Sequence, residues 1–129
     1  LGTVPIFISS LLQILVYHKI LVIDDEIDIC EMIKDFFDNR GYEVIYALTG
    51  CGGLDAFTIE KPNIVMLDLC LKDMFGLEVL KKIKKARPSC VVIIITGSAL
   101  EEDKKEAIRL GADYYIEKPF SMNKLSDCL

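Results

Sequence analysis

At 129 residues, 52% of them hydrophobic, the chain is sized for one domain around a single core and is too apolar to be disordered. A net charge of −5 argues against a nucleic-acid face, which is normally basic, so no direct nucleic-acid contact is expected. Five cysteines (Cys30, Cys51, Cys70, Cys90 and Cys128) stand apart, without a CxxC pair or metal-ligand spacing. An odd count outside a small secreted scaffold reads as reduced thiols in a cytoplasmic protein.

Residues 1–17 carry no charge. A membrane span needs about 20 apolar residues, and this stretch is broken by Pro5, Ser9, Ser10 and Gln13. A secretory signal would open on positive charge, which is absent. The segment reads as an apolar extension that packs on the domain or on a second copy, and the domain proper occupies 18–129.

Lys19–Ile23 is a short branched apolar run, the mark of a buried strand. From Glu26 to Arg40 the apolar residues Ile29, Met32, Ile33, Phe36 and Phe37 recur on one face of a helix, which Gly41 ends. Tyr42–Ala47 is the second strand. Gly50 to Glu60 is a weaker helix, capped by Thr49 and loosened at its start by Gly52 and Gly53. Pro62 ends it, and Ile64–Leu67 is the third strand. The helix Gly76 to Ala86 turns Leu77, Leu80 and Ile83 inward and its lysines outward, and Pro88 closes it. Val91–Ile95 is β-branched throughout, hence a central strand. Leu100 to Leu110 is helical until Gly111, Tyr114–Ile116 is the last strand, and Ser121 caps a final helix reaching Leu129. Five strands alternating with five helices imply right-handed crossovers and a parallel sheet covered on both faces.

The polar residues gather at the strand ends. Asp24-Asp25 follow the first strand, Asp68 the third, Thr96 the fourth, and Lys118-Pro119 the fifth. In an open parallel sheet such positions line one crevice. Two carboxylates about 4 Å apart repel by roughly 4 kcal/mol at an effective dielectric near 20. The cluster therefore calls for cations, and a lysine with a hard divalent metal would serve. Mg²⁺ takes oxygen ligands, a carboxylate can become an aspartyl-phosphate, and Lys118 and Thr96 supply a point charge and a hydroxyl donor. Each residue has an ordinary alternative. One of Asp24-Asp25 could cap the helix, Asp68 could start a loop, and Thr96-Gly97-Ser98 and Lys118-Pro119 could be plain turns. Tyr114 and Tyr115 could be core aromatics. The joint pattern favours a working site. Gly50-Cys51-Gly52-Gly53 lacks the rest of a nucleotide-binding loop. His18, the sole histidine, lies outside the strand ends, which removes a catalytic triad or a histidine metal site.

The segments KILVIDDE (Lys19–Glu26), IVMLDL (Ile64–Leu69), Gly76 eight residues after Asp68, IIITGSA (Ile93–Ala99) and GADYYIEKPF (Gly111–Phe120) together resemble the receiver domain of a two-component response regulator. The resemblance implies a flavodoxin-like (βα)₅ doubly wound sheet with strand order 2-1-3-4-5. It implies Asp68 as phosphoacceptor, and Asp24, Asp25, Asp68 and the backbone carbonyl of Cys70 as ligands of Mg²⁺ or Mn²⁺. Thr96 and Lys118 would bind phosphoryl oxygens, Thr96 and Tyr115 would form the switch, and the Lys118-Pro119 bond would be cis. The implied partners are a sensor histidine kinase or phosphotransfer domain as donor, with an effector or a second copy at the face of the fourth helix, fifth strand and fifth helix. Enzyme activity in the usual sense is not implied beyond self-phosphorylation and self-dephosphorylation. Lys72 departs from the family, which usually has proline there. Gly97 should leave the phosphoryl pocket open. Two rivals stand: a haloacid-dehalogenase-like phosphohydrolase, which wants a DxD motif after its first strand, and a pseudo-receiver that works without phosphorylation.

Overall fold

The structure, a computed structural model, describes residues 18–129. The expected extension over 1–17 lies outside the described residues. The elements alternate strictly: β1 (Lys19–Ile23), α1 (Ile27–Asp38), β2 (Glu43–Ala47), α2 (Gly50–Glu60), β3 (Ile64–Leu67), α3 (Gly76–Ala86), β4 (Val91–Thr96), α4 (Glu101–Arg109), β5 (Tyr114–Glu117) and α5 (Met122–Ser126). All strand pairs are parallel, in the order β2-β1-β3-β4-β5. This is the expected flavodoxin-like sheet.

The strand interiors are continuous apolar runs because both faces are covered, with polar residues only at the strand ends. Leu21, Ile23, Val65, Leu67, Val92 and Ile94 point to one side, where Phe57 of α2, Val79, Leu80 and Ile83 of α3, and Ala107 of α4 cover them. Ile20, Val22, Met66, Ile93, Ile95 and Ile116 point to the other, against Cys30, Ile33 and Phe37 of α1 and Leu125 of α5. Full burial of each aliphatic side chain contributes about 1.5–3 kcal/mol.

Several boundaries differ from the sequence reading, each for a local reason. Helix α1 begins after Glu26 and ends at Asp38, because the chain leaves the helix before Gly41, whose φ is +86°. Tyr42 is left outside β2, its ring stacked on His18 instead. Thr96 and Glu117 extend β4 and β5 by one residue each, since they pair with one another. Helix α4 is trimmed to Glu101–Arg109, with Leu100 and Leu110 as its caps. Ser121 caps α5 as expected, its hydroxyl accepting from the Lys124 amide, but α5 stops at Ser126.

The glycines of α2 answer to packing rather than to looseness. A Cβ on Gly53 would sit 2.5 Å from the Ile23 side chain, and one on Gly50 would meet Met74. Thr49 caps this helix by accepting from the Gly52 amide at 2.9 Å.

Candidate functional site

The sheet register brings the expected residues together. Ile23 is paired with Leu67 and Leu67 with Ile94, so β1 and β3 end level and β4 runs two residues farther, to Thr96. The next residues emerge side by side, tied by backbone bonds from Asp68 N to Ile23 O and from Lys118 N to Thr96 O, both 2.9 Å. The strand order reverses direction between β1 and β3, the place where open α/β sheets leave a crevice. A cleft of about 440 Å³ opens there, lined by Asp25, Glu26, Asp68, Cys70, Lys72, Gly97 and Lys118.

Asp24, Asp25 and Asp68 each present an atom within 4.8 Å of the others, with Asp24 and Asp68 buried. Lys118 Nζ reaches into the cluster, 2.8 Å from Asp24 Oδ2 and 3.0 Å from Asp68 Oδ2. Its third partner is Glu26 Oε2 at 2.7 Å. Burial works against the lysine's charge, but the hydrogen bonds it donates to these three carboxylates outweigh it and raise its pKa above the ordinary lysine value. For Asp24 the balance falls the other way. Burial lifts its pKa, and the bonds from Lys118 and the Glu26 amide only partly offset this.

The ordinary alternatives for Asp24-Asp25 fail in this geometry. The residue capping α1 is Glu26, which makes no side-chain cap, while Asp24 Oδ1 accepts from the Glu26 amide at 2.9 Å. Asp68 Oδ1 likewise accepts from the Cys70 amide at 3.0 Å. Both buried carboxylates are thus oriented by the backbone two residues on. Gly76 N bonds Leu69 O at 3.0 Å, and a Cβ on Gly76 would meet the Asp68 carbonyl and lie 2.5 Å from Leu69 Cα. Only glycine fits so close behind the loop that follows Asp68.

Thr96 is fully buried at the end of β4. Its Oγ1 accepts from the Ser98 amide at 3.2 Å and lies 3.7 Å from Cys70 Sγ. Nothing stands within 4 Å of where a Gly97 Cβ would be, so the cleft is open on that side, as expected. Tyr115 is half-buried, and its hydroxyl donates to Ser98 O at 3.4 Å. Its neighbour Tyr114 is exposed rather than core. The Lys118-Pro119 bond is cis. The phosphohydrolase alternative places its nucleophile after the first strand, whereas the carboxylate between Lys118 and the Cys70 amide here follows β3.

The sequence model of the family described as "Response regulator receiver domain" matches residues 20–129. The chain belongs to this receiver family. It is 33% identical over 112 residues to the sporulation initiation phosphotransferase F of Bacillus subtilis, covering 87% of this chain and 90% of that protein. It is 40% identical over 105 residues to the transcriptional regulatory protein KdpE of Mycobacterium tuberculosis, where the match takes in 81% of this chain but only 46% of KdpE. The crystal structure of a CheY-like response regulator receiver domain protein from Methanospirillum hungatei superposes with a TM-score of 0.82 at 37% identity, over 84% of this chain and 87% of that one.

Two residues of the receiver's site escape a reading of the sequence. Glu26 looks like an ordinary helix start, yet its carboxylate holds Lys118. Asp73 looks like a loop acid, yet its two oxygens accept from the Gly50 and Cys51 amides at 2.8 and 2.9 Å. It clamps the loop after Asp68 to the start of α2. Those amide bonds hold the Asp73 pKa below the ordinary carboxylate value. The helix-start glycines Gly50 to Gly53 were the only signal for this contact, since they mark a close approach without naming the residue that makes it. No helix among the described residues is long and apolar enough to cross a membrane.

Proposed function

We propose that this receiver domain accepts a phosphoryl group on Asp68 from the phosphohistidine of a sensor histidine kinase or of a phosphotransfer domain, and that the modified state selects its partner. The observation that carries the reading is the trio Asp24, Asp25 and Asp68, closed around a single lysine. Four carboxylates with Glu26 face one ammonium, an excess of negative charge that a divalent cation would balance. The donors are hard oxygens, which suits Mg²⁺ or Mn²⁺, and the burial that lifts the Asp24 pKa is a cost such a cation would remove. Asp24, Asp25, Asp68 and the Cys70 carbonyl are the groups that would hold it. When bound, the ion neutralises charge that builds on the phosphoryl oxygens during transfer.

The chain's own groups do the rest. The Cys70 amide and Lys118 hold the Asp68 carboxylate at both oxygens before a donor arrives. An Asp68 oxygen attacks phosphorus, and the imidazole nitrogen leaves with the bonding pair. Lys118 then exchanges its hold on Asp68 for a phosphoryl oxygen, and the Thr96 hydroxyl donates to another. Thr96 is bonded to the Ser98 amide and Tyr115 to the Ser98 carbonyl. Movement of Thr96 toward the phosphoryl group therefore draws on the bond that positions Tyr115. That supports a switch read out on α4, β5 and α5, where Leu100, Ile108 and Tyr114 are exposed. An effector domain or a second copy is the partner this face would recruit. The reading puts the domain in the cytoplasm, where its thiols stay reduced.

Incubation with Mg²⁺ and acetyl phosphate should add one phosphoryl group, seen by mass spectrometry, and Asp68→Asn should take none. If Asp68→Asn is modified as well as the parent, the reading fails. A parent that neither binds Mg²⁺ nor labels would instead be a phosphorylation-independent module.

A further inference from the structure

Lys118 is not the only cation of the cleft. Lys72 lines it too, together with Gly97 and Lys118. The two lysines differ in what they touch. Lys118 is held by three carboxylates. Lys72 is exposed and enters no ion pair among the described residues.

Its backbone is nonetheless held firmly. Asp73 next to it is clamped to the Gly50 and Cys51 amides, Met74 packs on Gly50, and Gly76 bonds back to Leu69. The loop thus presents an uncommitted ammonium at the mouth of an acidic cleft. The charges explain its use. Asp24, Asp25, Glu26 and Asp68 against Lys118 leave three negative charges, and a divalent ion would leave one. A phosphodonor dianion would still approach a net negative mouth, and Lys72 brings that balance to zero. A charge in this position acts on encounter and is screened by salt.

We propose that Lys72 is a specificity-determining residue that draws the phosphoryl group of dianionic donors, small acyl phosphates above all, into the cleft beside Asp68. The proposal rests on Asp68 being the phosphoacceptor. In the reaction it favours, an Asp68 oxygen forms a bond to phosphorus while the bond from phosphorus to the donor's acyl oxygen breaks. The donor leaves as a carboxylate with the electron pair, no proton moves, and the charge is conserved. Lys72 meets the donor's phosphoryl oxygens before and during that exchange.

The test compares acetyl phosphate, a dianion, with phosphoramidate, which carries less negative charge at neutral pH. Initial rates of Asp68 phosphorylation are measured for the parent, Lys72→Gln and Lys72→Arg at low and at high salt. With acetyl phosphate at low salt, Lys72→Gln should be about fivefold slower, and the loss should shrink to less than about twofold near 0.5 M salt. With phosphoramidate the loss should stay below about twofold at either salt, and Lys72→Arg should keep the parental rate. Calorimetry gives a readout apart from turnover. Removing a neighbouring positive charge should tighten Mg²⁺ binding by Lys72→Gln about twofold at low salt. Parental rates in Lys72→Gln at low salt, or equal losses with both donors, overturn the role of Lys72 while leaving Asp68 as the acceptor. A parent that takes no phosphoryl group from either donor overturns the acceptor reading, and this proposal with it.

Discussion

The two ends of the sheet are built from the same strands and obey opposite rules. At the amino end, Lys19 and Lys84 both meet carboxylates. Lys19 pairs with Glu60 at 2.6 Å, and Lys84 with Asp113 at 2.8 Å. Asn63 stitches β1 to β4, bonding the Lys19 amide through its side chain and the Val91 amide through its carbonyl. Asp113 also accepts from the Val92 amide. At the carboxyl end, three carboxylates share one lysine with Asp25 close by, two of the three are buried, and burial raises the Asp24 pKa. The amino end is arranged for stability. The carboxyl end gives up stability in the free protein, which a bound cation would restore.

The largest test of that contrast removes one lysine from each end. Lys118→Met leaves the buried carboxylates without a cation and should lower unfolding free energy in metal-free buffer by about 3 kcal/mol. Lys84→Met, whose carboxylate partner is half-exposed, should cost only about 1 kcal/mol. Urea denaturation of both variants checks this, and equal losses would dissolve the distinction. Next, Mg²⁺ at about a hundred times its dissociation constant should raise the stability of the parent by about 2.7 kcal/mol. The same titration of Asp25→Asn should show most of that gain gone. Stabilisation of both proteins alike would place the ion elsewhere.

The smallest effect concerns the Asp73 clamp at the border of the carboxyl end. The folded state holds the Asp73 pKa below the ordinary 3.8, so the clamp's contribution is present above that value. It is lost as the pH falls through the lower, folded-state value. Asp73→Ala should therefore be less stable than the parent at neutral pH, with the gap closing as acid protonates Asp73. Denaturation midpoints measured down the pH scale check it, and a gap that persists after acidification would mean the loss is one of packing.

The strands were legible because a doubly covered sheet demands unbroken apolar runs, as in Ile20–Ile23 and Val91–Ile95. The acidic trio and Lys118 were legible because each follows such a run, and strand ends of a parallel sheet converge by geometry alone. The helix starts were less so. Glu26 takes its role from a lysine 92 residues away, and Asp73 from amides 23 and 22 residues away. Gly53 looked like a weakness of α2 and proved to be a clearance for Ile23, as Gly50 is for Met74.

Periodicity and strand-end chemistry, both properties of short segments, were thus settled by the order of residues in the chain: an alternating α/β fold with Asp24, Asp25, Asp68, Thr96 and Lys118 at one rim. Which carboxylates share the lysine, and what pins the loop carrying Lys72, was decided only in three dimensions. The physical reason is range. Apolar patterning acts between neighbours in sequence, whereas an ion pair or an amide clamp depends on distances that exist only once the strands from β1 through β3 and β4 to β5 have been assembled into one sheet.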